Sequence, residues 1–195
     1  MIDAIKIKYL QNQIACHDDQ WAYKELFTSF YSSLYYLAFS YIKSRESAEE
    51  IVSDVFIKIW ESRRELEKIE NFRVYVYVAT RNTALNYLEK QKKLSTDSID
   101  DVKGGMKSVY FDPEQLLITA EMMVRIEKAI ESLPPKCRLI FKLVKEDRLA
   151  YKEVGEILHI SVKTVENQVS IALRKIGASI HFDVKRTIPL SYRSS

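Results

Sequence analysis

The sequence predicts an all-α fold: two small helical domains joined by a flexible linker. Three observations carry that expectation. Only four glycines and four prolines occur in 195 residues, about 2% each where about 7% and 5% are usual, which leaves too few turn residues for a β-sandwich or barrel. Apolar residues recur at helical spacing through most of the chain. That period is lost over residues 94–113, LSTDSIDDVKGGMKSVYFDP, where Gly104-Gly105, Pro113 and a cluster of Ser, Thr and Asp gather. The resulting layout is an N-terminal extension (1–20), a first domain (21–93), a linker (94–113), a second domain (114–177) and a C-terminal tail (178–195).

The first long helix spans about 21–42, with Tyr23, Leu26, Phe27, Phe30, Tyr31 and Leu34 at helical intervals. Ser47 and Glu50 form a capping-box pattern that announces a second helix. Its stripe of Ala48, Ile51, Val52, Val55, Phe56, Ile59 and Trp60 falls on one face. After the charged link RRELEKIEN a third helix is expected over about 72–92. Beyond the linker, helical periodicity returns over 114–133, stops at Pro134-Pro135 and resumes over 137–144. Two shorter helices, 151–158 and 161–177, complete the second domain. Domains of this size bury a modest core and are only marginally stable alone.

Charge is unevenly distributed. Residues 46–70 hold 4 basic and 8 acidic side chains, 71–93 hold 5 and 1, and 121–195 hold 14 and 9. An acidic stretch therefore abuts a basic one, and the C-terminal part is basic. Cys16 and Cys137 match no disulfide, zinc or Cys-x-x-Cys spacing, which suits a reducing cytoplasm. No apolar run exceeds six residues, so neither a signal peptide nor a membrane span is expected. His17, His159 and His181 stand in separate contexts with no second ligand at i+3 or i+4. No Gly-rich phosphate loop or G-x-S-x-G is present. An enzyme, a cofactor and a small-molecule substrate are thus not expected.

The segment YKEVGEILHISVKTVENQVSIALRKI reads as a helix-turn-helix. Val154, Ile157 and Leu158 pack its first helix, and Val162, Val165, Val169, Leu173 and Ile176 form the inner stripe of the second. Gly155 permits close backbone approach, His159 occupies the helix-ending position, and Ser161 is a natural N-cap. Lys163, Thr164, Glu166, Asn167, Ser170 and Arg174 point away from the stripe. Asn can bond adenine, Glu can accept from cytosine, and Lys and Arg can bind phosphate or guanine. With Ser161 they form the candidate duplex-reading set.

On the second helix Ile57 lies opposite the apolar stripe with Glu50, Asp54 and Glu61, an exposed aliphatic ringed by carboxylates that suits a protein partner with basic rims. The third helix interleaves aromatic, basic and amide groups, as single-stranded DNA requires: rings stack on bases and cations track phosphates. Asn71, Arg73, Tyr77, Arg81, Asn82, Asn86 and Lys90 are the candidates there. Phe72 and Tyr75 are assigned to core packing, because this helix must cover the first two.

Two separated stretches then resemble one family. LPPKCRLIFKLVKEDRLAYKEVGEILHISVKTVENQVSIALRKI is similar to the −35-binding domain of bacterial sigma factors. SAEEIVSDVFIKIWESR followed by NFRVYVYVATRNTALNYLEKQKK looks like the second region of extracytoplasmic-function (ECF) sigma factors. The resemblance implies binding to core RNA polymerase (the β′ clamp through Glu50, Asp54, Ile57 and Glu61, and the β flap), −10 capture by the third helix and −35 reading by the helix-turn-helix. It also implies control by an anti-sigma factor, often membrane-bound. Thr80, Asn86 and Ile171 depart from common family residues, and Ile171 removes a phosphate contact that arginine often supplies. Two alternatives stand: a polymerase-independent helix-turn-helix regulator of the LuxR type, which shares the I-S-V-K-T-V-E pattern, and a helical adaptor that binds only protein.

Overall fold

The computed structural model describes residues 2–94 and 120–187, with side chains described for 2–92 and 123–179. Among the described residues the regular elements are all helical: α1 (Ala4–His17), α2 (Gln20–Ile42), α3 (Arg45–Glu61), a 3-10 helix (Arg63–Lys68), α4 (Phe72–Leu94), α5 (Ala120–Glu131), α6 (Pro135–Lys145), α7 (Tyr151–Leu158) and α8 (Val162–Thr187). The chain divides into two compact units, one of 1–102 with 152–160, the other of 103–151 with 161–195. The expected linker lies outside the described residues apart from Leu94.

In the first unit α2 is the central rod. It packs against α1, α3 and α4, and α1 in turn covers the 3-10 helix. Leu26, Phe30, Leu34, Leu37 and Ala38 of α2 are fully enclosed. Six members of the expected α3 stripe, Ala48, Ile51, Val52, Val55, Phe56 and Ile59, are buried, and Trp60 is half-buried at its end. Phe56 meets Phe27 and Tyr23 edge-on, with ring centroids 4.9 and 6.0 Å apart, and Tyr23 also meets Trp60 at 5.0 Å. The Tyr23 hydroxyl donates to the Phe56 carbonyl at 2.8 Å. Burial pushes the Tyr23 phenol above its ordinary pKa.

Within the N-terminal extension Asp3 caps α1, and Ile7, Leu10, Gln11 and Ile14 are buried. One expectation about this unit is corrected. The cap of α3 is Ser44, whose hydroxyl accepts from the Ser47 N–H and donates to Glu46. Ser47 lies inside the helix, with its hydroxyl 2.8 Å from that of Tyr87.

In the second unit Pro135 opens α6, where a missing N–H is harmless. Its core joins Ala129 and Ile130 of α5, Leu133 in the connection that follows, Cys137 and Phe141 of α6, and Ala172 and Ile176 of α8. The inner stripe of α8 is therefore Val165, Val169, Ala172 and Ile176. Val162 and Leu173, expected in that stripe, are 42% and 49% exposed. The small Ala172 occupies the packed position that the larger Leu173 was expected to fill.

The connection before α8 follows the sequence closely. The Ile160 N–H returns to the Gly155 carbonyl at 3.0 Å, and His159 takes φ 52°. Ser161 caps α8 by accepting from the Thr164 N–H at 3.0 Å. A left-handed histidine is strained by its Cβ. Replacing His159 with asparagine, which tolerates this region better, is expected to gain up to about 1 kcal/mol. A urea melt of the full chain checks this, and an unchanged or lower midpoint would show that the turn holds histidine without strain.

Candidate nucleic-acid and protein interfaces

The 17 residues of α3 run from a capped start through a single buried stripe, which forces the opposite side outward. Glu50, Asp54, Ile57 and Glu61 are all exposed there, at intervals of four, three and four residues, and Ile57 is 53% exposed. The four side chains share one stripe as expected. An apolar group this open, flanked by three carboxylates, can fill a hollow in a partner whose rim is basic.

Asn71 immediately precedes α4, and its side-chain carbonyl accepts from the Val74 N–H at 3.1 Å, so this candidate is also a helix cap. Phe72, Val76, Thr80 and Ala84 form one buried row and Val74 and Tyr77 an adjoining one. Phe72 meets Phe30 with centroids 5.6 Å apart, and the Thr80 hydroxyl donates to the Val76 carbonyl at 2.8 Å. Exposed opposite them are Tyr75, Asn82, Asn86 and Lys90. Arg73 and Arg81 are half-buried at the margin. Arg73 donates to the Ile2 carbonyl at 3.1 Å, and Arg81 to the Asn82 side-chain oxygen at 3.2 Å.

The two tyrosines exchange the places expected for them. Tyr77 is 0% exposed and cannot offer its ring to a base, whereas Tyr75 is 39% exposed on the amide-bearing face. Two residues apart on a helix are about 200° apart in direction, so only one of the pair can point out. Tyr75 is thus the aromatic that sequence reasoning misplaced. Its spacing of seven from Asn82 and eleven from Asn86 was the available signal.

On α8, Lys163, Asn167, Ser170 and Arg174 are exposed at intervals of four, three and four, while Thr164 and Glu166 are half-buried beside them. Lys163 pairs with Glu166 at 3.1 Å. The Ser161 hydroxyl is engaged in the cap and lies 2.8 Å from that of Thr164, so Ser161 positions the start of the helix. Ile171, at 36% exposure, presents an aliphatic group at the edge of this face. Among the described residues no three His, Cys, Asp or Glu side chains gather to hold a metal ion. No helix among them is long and apolar enough to cross a membrane.

Residues 26–94 match the family model for sigma-70 region 2, and residues 123–176 match that for sigma-70 region 4, in that order along one chain. The ECF RNA polymerase sigma-E factor of Escherichia coli strain K12 is 26% identical over 175 residues, covering 86% of this chain and 91% of that protein. The chain belongs to the sigma-70 family, as an ECF-type sigma factor. The SigE factor of Mycolicibacterium smegmatis is 21% identical over 76% of this chain and 57% of its own length. Among solved structures, CnrH in complex with the cytosolic domain of CnrY is similar in fold, with TM-score 0.52 and 18% identity over 91% of this chain and 99% of that one. RpoE of Bartonella quintana in complex with the anti-sigma factor NepR gives TM-score 0.54 and 20% identity over 82% and 97%. A sigma factor carrying both regions is an RNA polymerase specificity subunit, and the LuxR-like alternative has no support.

Proposed function

We propose that this sigma factor binds core RNA polymerase through Glu50, Asp54, Ile57 and Glu61, and unpaired −10 DNA through the outward face of α4. Duplex −35 DNA is read by Lys163, Asn167, Ser170 and Arg174, with Thr164 and Glu166 at the margin and Ser161 setting the start of the helix. The observation that carries the reading is the composition of the α4 face. Tyr75, Asn82, Asn86 and Lys90 offer a ring, two amides and a cation in one row, with Asn71, Arg73 and Arg81 at its edges. Capturing an unstacked base there lowers the free energy of the open promoter relative to the duplex. Opening then needs no fuel, and the protein acts in the cytoplasm without catalysing a reaction. The functional modules follow the sequence layout: 21–93 for polymerase and the −10 element, 114–177 for the −35 element. An anti-sigma factor holds the protein inactive, as the company of NepR and CnrY in the similar structures suggests.

Transcription from fragmented genomic DNA of the source organism, with its core polymerase and with or without this protein, tests the reading. New start sites sharing two spaced elements are expected. Asn167→Ala is expected to relax the −35 preference at one base by about 1–3 kcal/mol, roughly 5- to 150-fold. No new starts, or an unchanged −35 profile, would overturn the corresponding assignment.

A further inference from the structure

Gln11 is 1% exposed, one of three buried polar or charged side chains among the described residues. Its amide donates to the Leu66 carbonyl at 2.7 Å and to the Ile69 carbonyl at 3.0 Å. Both of its N–H groups are thereby used. The acceptors close the 3-10 helix: the Leu66 carbonyl in its last turn also accepts from the Ile69 N–H at 3.1 Å, and Ile69 is the residue that caps its end. α1 grips the same segment elsewhere: the Lys8 ammonium donates to the Glu67 carbonyl at 2.6 Å, and the Cys16 thiol lies 3.8 Å from the Glu67 carboxylate. At the segment's start, Arg63 pairs with Asp18, the residue that ends α1. Arg63 also donates to the Trp60 carbonyl at 3.0 Å and lies 4.7 Å above the Trp60 ring.

The segment so held leads straight into α4. Ile69 is two residues from Asn71, the cap of that helix, and Arg73 in its first turn is bound to the Ile2 carbonyl just ahead of α1. A run of 3-10 turn has poorer hydrogen-bond geometry than an α-helix and holds its shape weakly unaided. Its conformation here is imposed by a helix that presents no proposed DNA contact of its own. We propose that α1 is a template for the lead-in to α4, with Gln11 and Lys8 as positioning residues for −10 base selection. This rests on the −10 reading of the α4 face. Selection depends on differences in affinity among bases, and those differences need contacts held to within about 0.5 Å. A loosened lead-in therefore blurs the choice of base at Asn71 and Arg73 before it abolishes binding.

The test uses the full chain bound to core polymerase from the source organism, competing on two promoter libraries, one randomised at −10 and one at −35. Gln11→Met keeps length and bulk but removes both donors. Lys8→Met removes one contact at an exposed position and leaves the core untouched. The transcript ratio between preferred and disfavoured −10 sequences is expected to fall about tenfold in Gln11→Met and about threefold in Lys8→Met, with −35 preference kept within about twofold. Should Gln11→Met fail to fold, Lys8→Met alone decides. The proposal is overturned if −10 ratios stay within twofold of wild type, or if −10 and −35 preferences fall together. Wild-type initiation with no −10 preference would overturn the −10 reading itself, and this proposal with it.

Discussion

Replacing Asp54 with arginine and Ile57 with aspartate is expected to abolish promoter-directed transcription while the chain stays folded. Both side chains are exposed on α3, and the stripe that packs the helix lies on the other side. The new arginine stands four residues before Lys58, a like-charge pair that costs a helix a few tenths of a kcal/mol (about 0.2–0.5). An apolar anchor at the centre of an interface is worth about 2–4 kcal/mol, and inverting a neighbouring charge opposes a basic rim. Together they correspond to at least about a 30-fold loss of affinity for core polymerase. Competition against wild-type protein for core polymerase measures that loss, and far-ultraviolet circular dichroism shows whether the helices persist. A folded double variant that competes and transcribes normally would move the polymerase contact off this face.

The two tyrosines of α4 should separate stability from DNA capture. Tyr77→Ala empties a fully enclosed site and is expected to cost about 3–5 kcal/mol, a large share of the roughly 5–15 kcal/mol that stabilises a typical domain. Tyr75→Ala removes a ring that is 39% exposed and is expected to cost under about 1 kcal/mol of stability. If Tyr75 stacks on a base, the same change lowers open-promoter occupancy by about 1–3 kcal/mol, roughly 5- to 150-fold. Urea melts read the first quantity, and permanganate reactivity of thymines in the opened promoter reads the second. A Tyr75→Ala protein that opens promoters as well as wild type would remove the ring from the DNA-binding face.

What was legible in the chain, and what was not, follows from how much a side chain alone says about direction. The stripe of the seventeen-residue α3 alternates cleanly from Ala48 to Trp60, so its buried and outward faces could both be assigned. α4 carries Phe72, Val74, Tyr75, Val76 and Tyr77 almost in a run. Apolar residues on every side leave no phase to read, and only the packing of Phe72 on Phe30 decides which tyrosine turns in. α1 was obscured differently, because its inner stripe contains Gln11 while Ile5 and Tyr9 face out. Its place in the fold depends on carbonyls 55 and 58 residues away, which no local pattern announces. On α8 the preference for a large residue favoured Leu173, but the core accepts Ala172. Ser161 and His159 were correctly placed because a helix end imposes local chemistry that does not depend on the rest of the molecule.

The placement of two rare residue types has a practical consequence. Both tryptophans, Trp21 and Trp60, belong to the first unit, the latter wedged between Tyr23 and Arg63. Cys137 belongs to the second unit, its thiol donating to the Gln168 carbonyl at 3.3 Å and pushed up in pKa by burial. Indole emission therefore follows the melting of one unit. The rate at which Cys137 yields to a thiol reagent, once the exposed Cys16 is replaced by serine, follows the other. The untagged chain thus contains two independent clocks, and the order in which its halves come apart can be timed in a single sample.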